Sequence, residues 1–181
     1  MRVGALSREA ALAFADLLSY PDDALAGRLR ADAGRLGDTT GGALDALADR
    51  FALLGPGGAE ELYTATFDLR PAVSPYAGVH LCGEGPRRNA LLAYLASLRA
   101  QAGIAPGEEV PDHFAELLRY LAAAADAAEA EDVAVLVLAP AARHAAAVLR
   151  HDNPYRAALE ALAAALPAPA ELPAALREAG P

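Results

Sequence analysis

The side chains of this 181-residue chain that could do covalent or metal chemistry are few. Cys82 is the single cysteine, and only His80 or His113 is a candidate base for a thiol nucleophile at that position. No glycine-flanked nucleophile turn accompanies Cys82. A zinc site needs three or four ligands, and no third cysteine or histidine lies near His80 and Cys82 in the sequence. We therefore predict no catalytic residue, no metal site and no cofactor.

Aromatic and acidic side chains form a second set, which is suited to binding rather than to catalysis. Tyr63 and Phe67 stand four residues apart, so a helix places both rings on one face. That face is interpreted either as part of the core or as a surface that receives a partner. Asp68 follows the two rings and has three open roles, which are to cap the helix, to pair with Arg70 or to bind a partner.

Asp112 and His113 come directly before an apolar stripe that begins at Phe114. Aspartate is among the residues preferred at a helix N-cap, so the pattern predicts Asp112 as the N-cap of this helix. Asparagine caps a helix about as well, and Asp112→Asn would then leave stability unchanged. His113 would be exposed in the first turn, where a neighbouring carboxylate raises its pKa and the helix N-terminus lowers it.

The elements that position these side chains are predicted to be helices. Hydrophobic residues make up 55% of the chain, alanine and leucine dominate them, and aromatic residues are only 6%, a composition that favours helix. We predict an all-α fold, a helical bundle in which residues 1–181 form one domain and the tail 167–181 frays. The prolines and glycines of 74–86 predict an irregular segment. The predicted helices cover about residues 7–20, 22–36, 44–54, 59–70, 91–102, 113–121, 131–138, 140–151 and 154–166.

The charge and hydropathy of the chain exclude several classes of function. A formal net charge of −9 argues against a nucleic-acid partner, which needs a basic surface. No apolar run reaches the roughly 18 residues of a membrane-spanning helix, so no direct membrane insertion is predicted. The N-terminal residues show no signal-peptide core, and we predict a cytoplasmic protein.

Several short motifs occur in a characteristic order along the chain. Tyr63-Thr-Ala-Thr-Phe-Asp68 resembles the Tyr-Val-x-Thr-Phe-Asp signature of the NarJ-type nitrate reductase assembly chaperones, which belong to the TorD/DmsD/NarJ group. The resemblance covers about residues 62–167 and is weaker at 81–87 and at Arg99, which leaves the client open between nitrate reductase and a related molybdoenzyme. The other matching stretches are Ser74-Pro-Tyr76, Arg87-Arg88 before Leu91, Val110-Pro-Asp-His-Phe114, and Asn153-Pro-Tyr155 with Leu159.

The resemblance implies a chaperone rather than an enzyme. Such a protein binds the N-terminal segment of the apo catalytic subunit and assists insertion of the molybdenum cofactor before membrane docking or export, with cofactor biosynthesis proteins as further candidate partners. An aromatic groove would take the apolar face of the client, and acidic residues would attract its arginines or lysines. A small helical regulator that binds a ligand or protein without a molybdoenzyme client is the alternative. The candidate peptide-binding residues are Tyr63, Phe67, Asp68, Tyr76, His80, Asp112, His113 and Glu116.

Overall fold

The computed structural model describes residues 2–168, apart from residues 5, 37, 38, 56 and 70. The fraying predicted for the tail therefore lies almost wholly outside the described residues, as does the predicted pairing of Asp68 with Arg70. The all-α prediction is confirmed. A two-stranded antiparallel ribbon, β1 (Arg2–Val3) with β2 (Leu6–Ser7), precedes the helices. The helices are α1 (Arg8–Leu17), α2 (Leu25–Leu36), α3 (Thr39–Leu54), α4 (Gly58–Phe67), α5 (Ala77–Cys82), α6 (Pro86–Gln101), α7 (Phe114–Ala123), α8 (Ala127–Val133), α9 (Ala139–Val148) and α10 (Pro154–Ala165).

Local capping residues fix several helix ends where the sequence places them. The Ser7 hydroxyl accepts a hydrogen bond from the backbone N–H of Ala10 at 3.1 Å and begins α1. The Asn153 side chain accepts from the N–H of Tyr155 at 2.9 Å and begins α10, with Pro154 in the first helical turn. Gly103 follows α6 with φ of +70°, the left-handed conformation that glycine adopts after a helix end. The sequence predicts Ser7 and Asn153 as helix starts and Gly103 as a residue that ends a helix, and all three predictions are confirmed.

The helices pack around α7, which buries residues on nearly all its sides, Phe114 and Leu118 completely. The apolar face of α1 lies against α7, α2 forms a hairpin with α3, and α10 packs on both α9 and α3. Within the described residues, no helix has the length and apolar character needed to cross a bilayer. The first half of α7 lies beside the turn that follows α1 and the end of α6, because Arg119 donates to Ser19 and Arg99 donates to Glu116.

A widened helical turn joins α8 to α9. Residues Ala134–Leu138 form a π-helical turn, which confirms helix over strand for this apolar run. Pro140 lacks the N–H that would bond the carbonyl of Leu136 and its ring crowds that carbonyl, so a wider turn relieves the conflict. The predicted start of α8 at position 131 was wrong. Asp126 caps α8 instead, since its carboxylate accepts from the N–H groups of Ala128 and Glu129 at 2.8 and 3.1 Å.

The segment predicted to be irregular contains the short helix α5. Its prolines and glycines bound the helix rather than prevent it, because Pro75 lies before its first turn and Gly83 ends it with φ of +67°. The first two N–H groups of α5, from Ala77 and Gly78, donate to the backbone carbonyl and the carboxylate of Asp112 at 2.8 and 3.2 Å. A residue distant in sequence therefore begins this helix, and the local pattern could not show it.

Candidate functional site

The first and last motifs meet in an aromatic cluster of the core. Tyr63 and Phe67 are 7% and 5% exposed, and the Phe67 ring packs edge-on against Tyr155 with centroids 4.8 Å apart. The Asn153 side-chain amide donates to the hydroxyl of Thr66 at 2.9 Å and joins the two motifs directly. The interpretation of the two rings as core residues is thus confirmed, and Phe67 offers no exposed surface to a partner.

Asp112 is an internal ion-pair partner and does not cap α7. Its side chain is fully buried, and its two carboxylate oxygens accept from the Arg88 guanidinium at 2.8 and 3.2 Å and from the N–H of Gly78. The prediction that Asp112 caps α7 was wrong, because its carboxylate turns away from the helix towards Arg88. A Cβ atom at position 78 would lie 2.6 Å from this carboxylate, so Gly78 is required for the close approach of α5.

Arg88 connects Asp112 to the surface through Tyr76. Its guanidinium also binds both carboxylate oxygens of Glu84 at 2.8 Å and lies 5.1 Å from the centre of the Tyr76 ring. The Tyr76 hydroxyl donates to Glu109 at 3.1 Å. Burial raises the pKa of Tyr76, and the Glu109 carboxylate raises it further because it disfavours a second negative charge. Tyr76 therefore remains a neutral hydrogen-bond donor.

His113 is the N-cap of α7. Its Nδ1 accepts from the backbone N–H of Ala115 at 3.2 Å, and its ring meets the Tyr76 ring edge-on with centroids 5.4 Å apart. The residue is only 1% exposed, so the prediction of an exposed His113 was wrong. Burial lowers the pKa of His113 and outweighs Glu109 and Glu116, which raise it. The imidazole is consequently neutral, with its proton on Nε2.

A lowered histidine pKa predicts that stability falls as the pH falls. The unfolded chain takes up the proton near pH 6.5 and the folded chain only below that value, so the stabilisation is complete above 6.5 and is lost below it. We expect the melting temperature to drop between pH 7 and pH 5. His113→Asn keeps a capping acceptor without a titrating ring and should flatten this drop. The pKa of His80 is also lowered by burial, so some dependence remains, but an unchanged slope in the variant would contradict the prediction.

Glu116 lies between two arginines beside His113. Its carboxylate is 3% exposed and accepts from Arg99 at 2.5 Å and from Arg119 at 2.6 Å. Arg99 also donates to the carbonyl of Ala105 at 2.8 Å, which holds the 104–110 loop across the pair. A Cβ atom at position 107 would lie 2.4 Å from the Glu116 carboxylate, so Gly107 allows the loop to pass this close.

A cavity of about 490 Å³ opens between these groups, the turn after α1 and Tyr63 in the middle of α4. Tyr20 forms its outer edge, since its ring is 59% exposed and packs edge-on against Tyr63 with centroids 5.4 Å apart. Burial raises the pKa of Tyr63, whose hydroxyl stays neutral. The polar and aromatic lining residues are Ser19, Tyr20, Tyr63, Arg99, Glu108, Glu109, His113, Glu116 and Arg119. Three carboxylates and two guanidiniums give this cavity a slight excess of negative charge.

The similarity of the chain to known proteins agrees with this structure. Residues 8–161 match the protein family described as nitrate reductase delta subunit, which is most of the chain. The chain belongs to the nitrate reductase delta subunit family. A comparison with curated proteins found no match. Members of this family are assembly chaperones of molybdoenzymes and not catalytic enzymes, so the chain is a molybdoenzyme maturation chaperone in general terms.

This delta-family chain brings only part of the predicted site together. Tyr63, His113 and Glu116 line the cavity, and Tyr76 and Asp112 stand directly behind it. Phe67 is in the core, and Asp68 is exposed at the end of α4. Whether each residue contacts a client stays a prediction.

His80 lies apart from the cavity. Its Nε2 is 2.7 Å from the carbonyl of Ser74, and its ring stacks on Phe114 and contacts His144. In the described part of the chain, no three histidine, cysteine or acidic side chains are grouped as metal ligands would be.

Six polar or aromatic residues of the cavity are not among the site residues that the sequence predicts: Ser19, Tyr20, Arg99, Glu108, Glu109 and Arg119. Tyr20 stands before Pro21, where the sequence predicts only a helix end, and the exposure of its ring is decided by the tertiary structure. At Arg99 the sequence shows only a departure from the family pattern. Glu109 and Arg119 carry no local signal, because charged residues of a loop and of a helix face are usually solvated. Their roles depend on which elements meet.

Proposed function

We propose that this chain binds the N-terminal segment of the apo catalytic subunit of a molybdoenzyme, of the nitrate reductase alpha type, in the cavity edged by Tyr20 and Tyr63. It holds that segment while the molybdenum cofactor is inserted, before membrane docking or export. This takes place in the cytoplasm, and cofactor biosynthesis proteins are further partners. The observation that carries the proposal is the cavity itself, in which an exposed aromatic ring stands beside the exposed carboxylates of Glu108 and Glu109 on a strongly acidic protein.

The chemistry of the cavity favours a basic, amphipathic segment. The Tyr20 and Tyr63 rings offer an apolar edge to which a helix can apply its apolar face. Glu108 and Glu109 are exposed at the cavity and attract arginine or lysine side chains of the same segment. Arg99 and Arg119 do not counter this attraction fully, because both already bind Glu116.

A small ligand is the second candidate occupant, because about 490 Å³ lies within the range of small-molecule sites. That reading corresponds to a helical ligand-binding regulator without a molybdoenzyme client. Membership of a chaperone family supports a peptide as the occupant, since a chaperone acts on a protein client. A competition experiment decides between the two. If the cavity serves a small ligand, a client peptide should neither displace that ligand nor bind to the protein when the ligand is absent.

The proposal is tested by calorimetry with a synthetic peptide that copies the N-terminus of the cognate molybdoenzyme catalytic subunit. We expect binding by the wild type and a loss of affinity of about tenfold in Tyr20→Ala, since a buried aromatic anchor is worth about 1.4 kcal/mol or more. Tyr94→Ala is the matched control, because Tyr94 is also exposed, at 48%, but does not line the cavity. Higher salt should slow association by screening Glu108 and Glu109.

The result that would overturn the proposal is equally specific. Absence of peptide binding to the wild type at low and at physiological salt would remove it. Equal losses in Tyr20→Ala and Tyr94→Ala would place the binding surface elsewhere on the protein. Neither variant should change the melting temperature much, since both rings are half exposed and neither hydroxyl has a hydrogen bond to a described residue.

A further inference from the structure

A second cavity adjoins the first and is separated from it by the turn at Tyr20 and Pro21. It measures about 300 Å³ and lies between the start of α2, the end of α3 and the start of α4. Its floor is apolar, because Leu25 and Phe51 are 1% and 4% exposed and face it from two helices. Ala52 lies on its wall, and its small side chain leaves the space open.

The two cavities lie side by side along α4 and have no lining residue in common. Glu60 lines the second cavity and Tyr63 lines the first, which places them about one helical turn, or about 5 Å, apart along the helix axis. On the opposite wall, Tyr20 lines the first cavity and Pro21 the second, so neighbouring residues divide them. The two cavities therefore form a row along α4, which we call the groove, and the turn at Tyr20 and Pro21 lies between them.

The rim of the second cavity carries free negative charge. Asp23 and Glu60 are exposed, and neither makes an ion pair or a side-chain hydrogen bond with any described residue. Asp22 differs from them, because Arg28 already binds it at 2.8 Å. An apolar floor with two free carboxylates above it fits an apolar side chain followed by an arginine or lysine, and it repeats the chemistry of the first cavity.

We infer that the second cavity binds a further apolar side chain of the same client segment that occupies the first. The groove thereby selects a basic, amphipathic segment with two apolar anchors one to two helical turns apart, and a segment with a single anchor binds more weakly. This inference rests on the proposed function, because the second anchor is a side chain of the same client segment that the proposed function places in the first cavity.

The test uses calorimetry with a synthetic copy of about 22 residues of the client N-terminus, and with two copies shortened by about seven residues, about 10 Å of helix, at either end. Ala52→Phe fills the second cavity and should weaken binding of the long peptide about tenfold. One shortened peptide should bind the wild type and Ala52→Phe equally, because it has lost the second anchor. Ala90→Phe, at an exposed position of α6 outside both cavities, should bind all three peptides like the wild type.

A charge variant provides the same test without a change of volume. Asp23→Asn combined with Glu60→Gln should slow association of the long peptide at low salt and match the wild type at high salt. Glu131→Gln combined with Asp132→Asn on α8 is the control with the same change of net charge. The Asp23→Asn, Glu60→Gln variant and its control keep the inference testable if Ala52→Phe does not fold.

The outcomes separate this inference from the proposed function. Wild-type affinity of Ala52→Phe for the long peptide would overturn the inference and leave the proposed function standing. The same conclusion would follow if Ala52→Phe weakened the binding of both shortened peptides equally. No binding of any peptide to the wild type would overturn the proposed function and the inference together.

Discussion

Asp112→Asn is expected to lower the free energy of unfolding by about 2–3 kcal/mol, although asparagine is nearly isosteric with aspartate. Both carboxylate oxygens accept from N–H groups of Arg88, and one of them also accepts from Gly78. Whichever way the amide turns, its NH₂ group therefore faces a donor in a fully buried site. Denaturant unfolding at neutral pH measures the effect.

The control for this variant is Asp152→Asn. Asp152 also pairs with an arginine, Arg150, but both side chains are more than 70% exposed, so water replaces the lost contact. We expect its unfolding curve to superimpose on that of the wild type. A wild-type curve for Asp112→Asn would contradict the burial of this ion pair and would restore the role of a simple cap. Normal stability with lost peptide binding would instead place the carboxylate against the client.

Glu116→Gln should cost about 3–5 kcal/mol of unfolding free energy, the largest effect that we predict. Each carboxylate oxygen accepts from a different arginine, so the amide NH₂ of glutamine must point at one guanidinium. Arg99 is 8% exposed and would keep a buried charge with no carboxylate to neutralise it. The 104–110 loop, which Arg99 holds through Ala105, should loosen first and expose its amides to hydrogen exchange.

Glu109→Gln removes a negative charge from the cavity and should leave the stability of the fold unchanged. Glu109 lines the same cavity but is exposed, and its hydrogen bond from Tyr76 can be accepted equally by a glutamine carbonyl. We expect normal unfolding and slower association of a basic client peptide at low salt. If Glu116→Gln unfolds like Glu109→Gln, then Glu116 is more accessible to water than its burial indicates.

The boundaries that the sequence predicts well are those fixed within one helical turn. Ser7, Asn153 and Gly103 each act on backbone groups two to four residues away, so composition and spacing contain the whole interaction. The all-α fold follows in the same way, because alanine and leucine favour helix at each position independently. The motifs likewise appear in the sequence in their correct order, which is enough to indicate the family.

The tertiary structure decides what those motif residues do. Asp112 and His113 are adjacent and either can cap a helix, and the choice depends on Arg88 and Gly78, which approach from helices far away in sequence. The spacing of Tyr63 predicts a residue of the aromatic core. The tertiary structure also places one edge of its ring at the cavity, beside the ring of Tyr20.

By itself, the sequence therefore determined most of the helices and the caps at Ser7 and Asn153, because short-range hydrogen bonds and side-chain entropy act within a few residues, and its motifs indicated the family. Only the tertiary structure determined which charges are buried and which side of α4 is open. The reason is that burial and ion pairing depend on distances between elements, and sequence separation does not constrain those distances.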